Sequence, residues 1–203
     1  MKQLLERIER RECVAIDVRH NDDYLSGHIP GSMNAPYHNM GWGNALKSWL
    51  GDESVDIIII GRDEETVKKS KNELESIGLS VSAIISDNLN EWHEAKLPLS
   101  SVIEISPEDL YKSMGEWIVI DVREPWEWQF GTISGSIKIP LNELPKHLMK
   151  LDRSNKYAIV CAHGNRSEIA AIYLSDNNFR AATMVGGIER WMMESLPLEY
   201  END

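Results

Sequence analysis

"IDVRHNDDYLSGHIPGSMNAP", residues 16–36, lies over "IDVREPWEWQFGTISGSIKIP", residues 120–140, without a gap and at a constant offset of 104. The identities are the IDVR tetrads, Gly27 with Gly131, Ile29 with Ile133, Gly31 with Gly135, Ser32 with Ser136 and Pro36 with Pro140. Chance rarely keeps glycines and prolines in register over such a distance, so the chain reads as two copies of one domain. Further matches support this: "VDIIIIGRDEETV" at 55–67 with "YAIVCAHGNRS" at 157–167, and "IISDNLNEW" at 84–92 with "MVGGIERW" at 184–191. The expected domains are residues 1–98 and 105–203, joined near 98–104.

The chain has 203 residues, enough for two domains of about 100, each able to bury a core. It is 42% hydrophobic and 27% charged, which suits a globular protein. No apolar run approaches the roughly 18 residues of a membrane span, and "MKQLLERIERRE" lacks a signal peptide's apolar core. A cytoplasmic location is the default expectation. A formal charge of -12 argues against nucleic acid or acidic membranes as partners, since both need a basic footprint. The two cysteines, Cys13 and Cys161, have no C-x-x-C spacing and suggest neither a disulfide framework nor a thioredoxin-like motif.

Each copy alternates strand and helix, so the expected fold is α/β, a mainly parallel sheet with helices on both faces. "SPED" at 106–109 offers an N-cap serine followed by proline, a helix start. "LNELPKHLMKL" reads as a helix interrupted at Pro145 or with Pro145 in its first turn. "YAIV" is too short for a buried helix and β-rich enough for a central strand. After it, Ile169, Ile172 and Tyr173 share one helical face, and Asn177 and Asn178 suit the helix end. "AATMV" and "GGIERWMMES" give a last strand and a last helix.

Cys161 then stands at the carboxyl end of a central strand, where ligands of open α/β sheets sit, with the loop "AHGNRS" wrapping over the next helix start. Backbone amides of residues 162–167 can turn inward there and cradle an anion, so a reactive thiolate at neutral pH is expected. Cys13 is expected to be a buried small hydrophobe. His163 with Cys161 is too small a set for a metal, and His163 is expected to tune the loop or face solvent. Asp121 and Arg123 recur as Asp17 and Arg19, so a structural role fits them better than catalysis. Trp126 and Trp128 either pack between the domains or line a cleft mouth, with packing the expectation. Gly186 and Gly187 are expected to serve a tight turn.

A strand-end cysteine, a short loop ending in arginine, "DVRE…G.I.G" upstream and "GGIERW" downstream together resemble a rhodanese domain. Two of them in tandem resemble thiosulfate sulfurtransferase-type proteins. The resemblance implies that Cys161 attacks the sulfane sulfur of a small anionic donor such as thiosulfate and holds it as a persulfide. A thiol or cyanide acceptor, a protein thiol among them, then removes it. Ala162, His163, Gly164, Asn165, Arg166 and Ser167 would form the substrate-binding loop, with Arg166 on the donor's charge and Ser167 capping the next helix. Neither cofactor nor metal is implied. Phosphatase and arsenate-reducing relatives of this fold carry five residues between cysteine and arginine; here there are four, a ring that suits one sulfur better than a phosphate. A persulfide relay or binding module is the other alternative. In the first copy Gly61 stands opposite Cys161 and the loop carries Asp63, Glu64 and Glu65, so that domain is expected to be catalytically silent.

Overall fold

The computed structural model describes residues 1–38, 41–51 and 55–200. Residues 201–203, which end the second expected domain, lie outside that description. The chain divides into two compact units, Met1–Leu99 and Ser100–Asp203. Among the described residues no helix is long and apolar enough to cross a membrane.

The first unit runs α1 (Lys2–Glu9), β1 (Val14–Asp17), α2 (Asn21–Ser26), β2 (Met33–Asn34), α3 (Trp42–Leu50), β3 (Asp56–Ile60), α4 (Glu64–Ser76), β4 (Ser80–Ile85) and α5 (Asn90–Glu94). Its four parallel strands are ordered β2-β1-β3-β4. The run "IIII" shows why a strand forms here without polar alternation: both faces are covered. Ile57 and Ile59 pack with Trp42, Leu46, Val67 and Leu74 of α3 and α4. Ile58 and Ile60 turn the other way, to Ile8 of α1 and Trp92 of α5. All four isoleucines are fully buried, worth about 1.5–3 kcal/mol each.

The second unit runs β5 (Ile103–Ile105), α6 (Pro107–Lys112), β6 (Ile118–Asp121), β7 (Ile137–Lys138), α7 (Leu144–His147), β8 (Lys156–Val160), α8 (Asn165–Asp176), β9 (Arg180–Met184) and α9 (Gly187–Met193). The parallel order β5-β9-β8-β6-β7 puts the "YAIV" strand in the middle, as expected. Ser106 caps α6 by accepting from the Asp109 amide at 3.1 Å. Pro145 lies in the first turn of the short α7, flanked by 3₁₀ turns at Leu141–Glu143 and Leu148–Lys150. α8 ends at Asn177, followed by Asn178 at φ +64. Its buried face is Ser167, Ala170, Ala171 and Leu174, and Ile169 is exposed. The expected Ile169/Ile172/Tyr173 face is therefore corrected. Small side chains let α8 lie close to the sheet, and the helix settles on them instead of on its largest apolar residues.

The repeat is visible atom by atom. Arg19 and Arg123 fold back on Asp17 and Asp121 through Nε and Nη2, and each also donates to a glycine carbonyl, Gly27 or Gly131, at 2.7 Å. Each pair is buried and ties a strand end to the turn eight residues on. Trp92 and Trp191, both fully buried, donate their indole N–H to the carbonyls of Pro98 and Pro197. The structural role expected of the Asp–Arg pairs is what the geometry gives them. Removing one partner strands the other's charge in the core. Asp121→Ala should therefore lower the second unit's stability by roughly 3–5 kcal/mol, read from its denaturant midpoint.

Candidate active site

Cys161 follows β8 directly and leaves the sheet where β6 ends, since Val122 N–H donates to the Val160 carbonyl at 2.9 Å. The residue is 1% exposed. Its Sγ is not a spare core methyl: Gly164 N–H donates to it at 3.1 Å, and Ser167 Oγ lies 3.6 Å away. Gly164 has φ +108, a conformation that favours glycine, and it occupies the N-cap position of α8. That leaves Ser167 inside the first helical turn, so the capping role expected of it is corrected. Its hydroxyl donates to the Gly164 carbonyl at 2.7 Å and lies 3.0 Å from Thr183 Oγ1, turned inward toward the sulfur.

The loop backbone is held from outside by α9. Ile188 N–H donates to the Cys161 carbonyl at 2.8 Å and Glu189 N–H to the Ala162 carbonyl at 3.0 Å. A trans peptide points its N–H opposite to its C=O, so pinning these carbonyls leaves the amides of Ala162 and His163 directed away from α9. Gly187 makes this approach possible. It has φ +63, and a Cβ there would sit 2.4 Å from the carbonyl oxygens of both Cys161 and Ala162. The glycine pair thus serves more than a turn.

Arg166 meets a partner that the sequence did not announce. Its two terminal nitrogens donate to Glu127 Oε2 and Oε1 at 2.6 and 2.8 Å. Glu127 lies in the 3₁₀ segment Pro125–Phe130, where its Oε2 also accepts the Glu124 amide at 2.9 Å. The Arg166 hydrogen bonds hold the Glu127 carboxyl below the usual carboxylate range, and the same bonds raise Arg166. A signal existed in "EPWE", where acids at positions 124 and 127 bracket a turn as in a capping box. A glutamate buried beside that loop then needs a cation.

His163 is exposed, with Nδ1 2.9 Å from Glu189 Oε2, and Asn165 is an exposed first residue of α8. Trp126 is 64% exposed and lines a cavity of about 430 Å³ together with Ala162, His163, Glu127 and residues of α9. The expectation of packing is therefore corrected for Trp126, which lines a cavity of its own unit because the 3₁₀ turn buries Glu127 and throws the indole outward. Trp128 is half-buried, with the Lys138 ammonium 5.6 Å from its ring. Cys13 is buried, and desolvation pushes its thiol up, which keeps it protonated.

In the first unit Gly61 follows β3 as Cys161 follows β8, with Val18 N–H donating to the Ile60 carbonyl. A Cβ at Gly61 would lie 2.3 Å from Val67 Cγ2. Hydrocarbon fills the space that a side chain at 61 would need. Asp63 caps α4 by accepting from the Thr66 amide at 2.8 Å, so its charge is spent on the helix start.

A strand-end thiol under a glycine-turned loop in the second unit, on a strand and Asp–Arg scaffold repeated in both halves, defines the class. The chain belongs to the rhodanese-like domain family, whose model matches residues 1–95 and 106–194. Among its relatives, Thiosulfate sulfurtransferase GlpE of Stutzerimonas stutzeri (strain A1501) is 31% identical over 87 residues, covering 42% of this chain and 79% of that protein. A protein named Sulfurtransferase from Allochromatium vinosum is 28% identical, over 48% of this chain and 94% of that one. The crystal structure of a rhodanese-related protein from Thermoplasma volcanium is 42% identical over 49% of this chain and 99% of its own, with a TM-score of 0.48. Family and relatives support sulfur transfer as the class of chemistry.

The Glu127 shift has a consequence for stability. A carboxyl depressed by folding stabilises the fold above its unfolded pKa, and that contribution is lost as pH falls through the depressed folded value. Glu127→Gln should cost about 1 kcal/mol near pH 7, after discounting for the solvent at Arg166. The difference from the parent should close at acid pH, below the ordinary carboxylate range, in denaturation curves taken across pH.

Proposed function

We propose that this protein is a sulfurtransferase in which Cys161 takes sulfane sulfur from a donor and passes it, as a persulfide, to a thiophilic acceptor. The observation that carries the reading is the Gly164 N–H on Sγ at 3.1 Å, in a loop whose carbonyls face α9. The thiolate attacks the outer sulfur of the donor, the donor's S–S bond breaks, and its electron pair leaves with the rest of the donor. The terminal sulfur of the persulfide then carries negative charge, which the amides of Ala162, His163, Gly164 and Asn165 stabilise with the α8 dipole. An acceptor thiolate or cyanide attacks that sulfur and restores Cys161. Arg166 is held beside the loop by its bidentate pair with Glu127, and Ser167 with Thr183 gives the sulfur a polar floor. The first domain carries no nucleophile at Gly61 and is proposed to be silent.

Cys161→Ser should show no gain of one sulfur atom by intact-protein mass spectrometry and no turnover with thiosulfate and cyanide. Cys13→Ser should retain both. Thiosulfate:cyanide turnover persisting in Cys161→Ser would remove the reading. Gly187→Ala should push α9 off the loop and cut the rate of persulfide formation by on the order of a hundredfold, as expected for misplacement of about 1 Å.

A further inference from the structure

The cavity that reaches Ala162 and His163, the two residues after Cys161, has the size of a small-molecule site and the wrong lining for an inorganic dianion. At about 430 Å³ it falls within the usual range of ligand pockets. Its walls are mostly apolar: Trp126, Phe130, Ile188, Met192 and Met193. Four of these are exposed large hydrophobics, at 64% for Trp126, 59% for Phe130, 52% for Met192 and 75% for Met193. Such a ring of uncovered apolar side chains at one mouth marks a place that something apolar occupies.

The charges point the same way. Arg166 is neutralised by the bidentate Glu127 pair, and Arg123 by Asp121. Arg123 and His163 are the basic groups among the described lining residues; against them stand Glu127 and Glu189, the latter 2.9 Å from His163. A dianion entering here gains little from cations whose charge is already cancelled, and it meets carboxylates.

We propose that the matched donor is an organic sulfane-sulfur compound with at most one negative charge, whose aryl or bulky alkyl group lies against Trp126, Phe130 and Met193. This rests on Cys161 being the sulfur-accepting thiol. For a thiosulfonate, R–SO₂–S⁻, the Cys161 thiolate bonds to the terminal sulfur, the donor S–S bond breaks, and the sulfinate R–SO₂⁻ departs with the electron pair. An organic persulfide reacts alike and releases its thiolate.

The test measures second-order rates of persulfide formation on Cys161 with benzenethiosulfonate, methanethiosulfonate and thiosulfate, each divided by that donor's rate with free cysteine. Benzenethiosulfonate should exceed methanethiosulfonate by about tenfold or more, with thiosulfate lowest. Trp126→Ala or Met193→Ala should lower the phenyl-to-methyl ratio by about fivefold. Because both rates come from one preparation, loss of folded protein cancels from that ratio. A ratio near one in the parent, thiosulfate ranking highest, or a ratio unchanged in both variants overturns the inference while leaving sulfur transfer standing. No added sulfur on Cys161 from any of the three donors overturns the proposed function itself.

Discussion

Two hydrogen bonds from α9, Ile188 N–H to the Cys161 carbonyl and Glu189 N–H to the Ala162 carbonyl, fix the backbone on which the site depends. They set the orientation of the two peptides after the sulfur, and they need the helix to approach within contact of bare backbone. Gly187 permits that approach, Trp191 anchors the helix in the core, and the Trp191–Pro197 bond fastens the chain beyond it. Shifting any of these moves amides that no side chain can replace. Cradles made of main-chain N–H groups are built by packing around them, so their determinants lie outside the loop itself.

A second layer sits on the other side. Asp121 and Arg123 hold the end of β6 and the Gly131 turn, and the 3₁₀ segment between them delivers Glu127 to Arg166. One short stretch therefore serves as scaffold through Arg123, as charge partner through Glu127 and as cavity wall through Trp126. In the first domain the same scaffold recurs as Asp17 and Arg19, which explains why the repeat is easiest to see around the IDVR tetrads.

Much of this was legible in the chain because it follows from local rules. The repeat, the parallel strands, the Ser106 cap and the asparagine stop each need only neighbouring residues or a fixed offset. What escaped depends on contacts between segments distant in sequence. Glu127 and Arg166 are 39 residues apart, and although "EPWE" has the spacing of a capping box, it does not say that the second glutamate will meet Arg166 or that the first tryptophan will turn out. Ser167 is expected to cap the next helix, but the backbone at Gly164, with φ +108, takes that position. The α8 face was misjudged because residue size and burial part company when a helix must lie close to a sheet.

Val67 gives the two halves different futures. Its methyl groups fill the hollow beside Gly61, whereas the other half keeps small polar Ser167 beside its sulfur. A nucleophile introduced by one substitution in the first half would collide with that packing, and shrinking the valine alone would open a void in a dry core. Either intermediate is penalised, so the silence proposed for that half behaves as a ratchet. Drift can preserve the isoleucine strand beside it indefinitely without admitting a nucleophile.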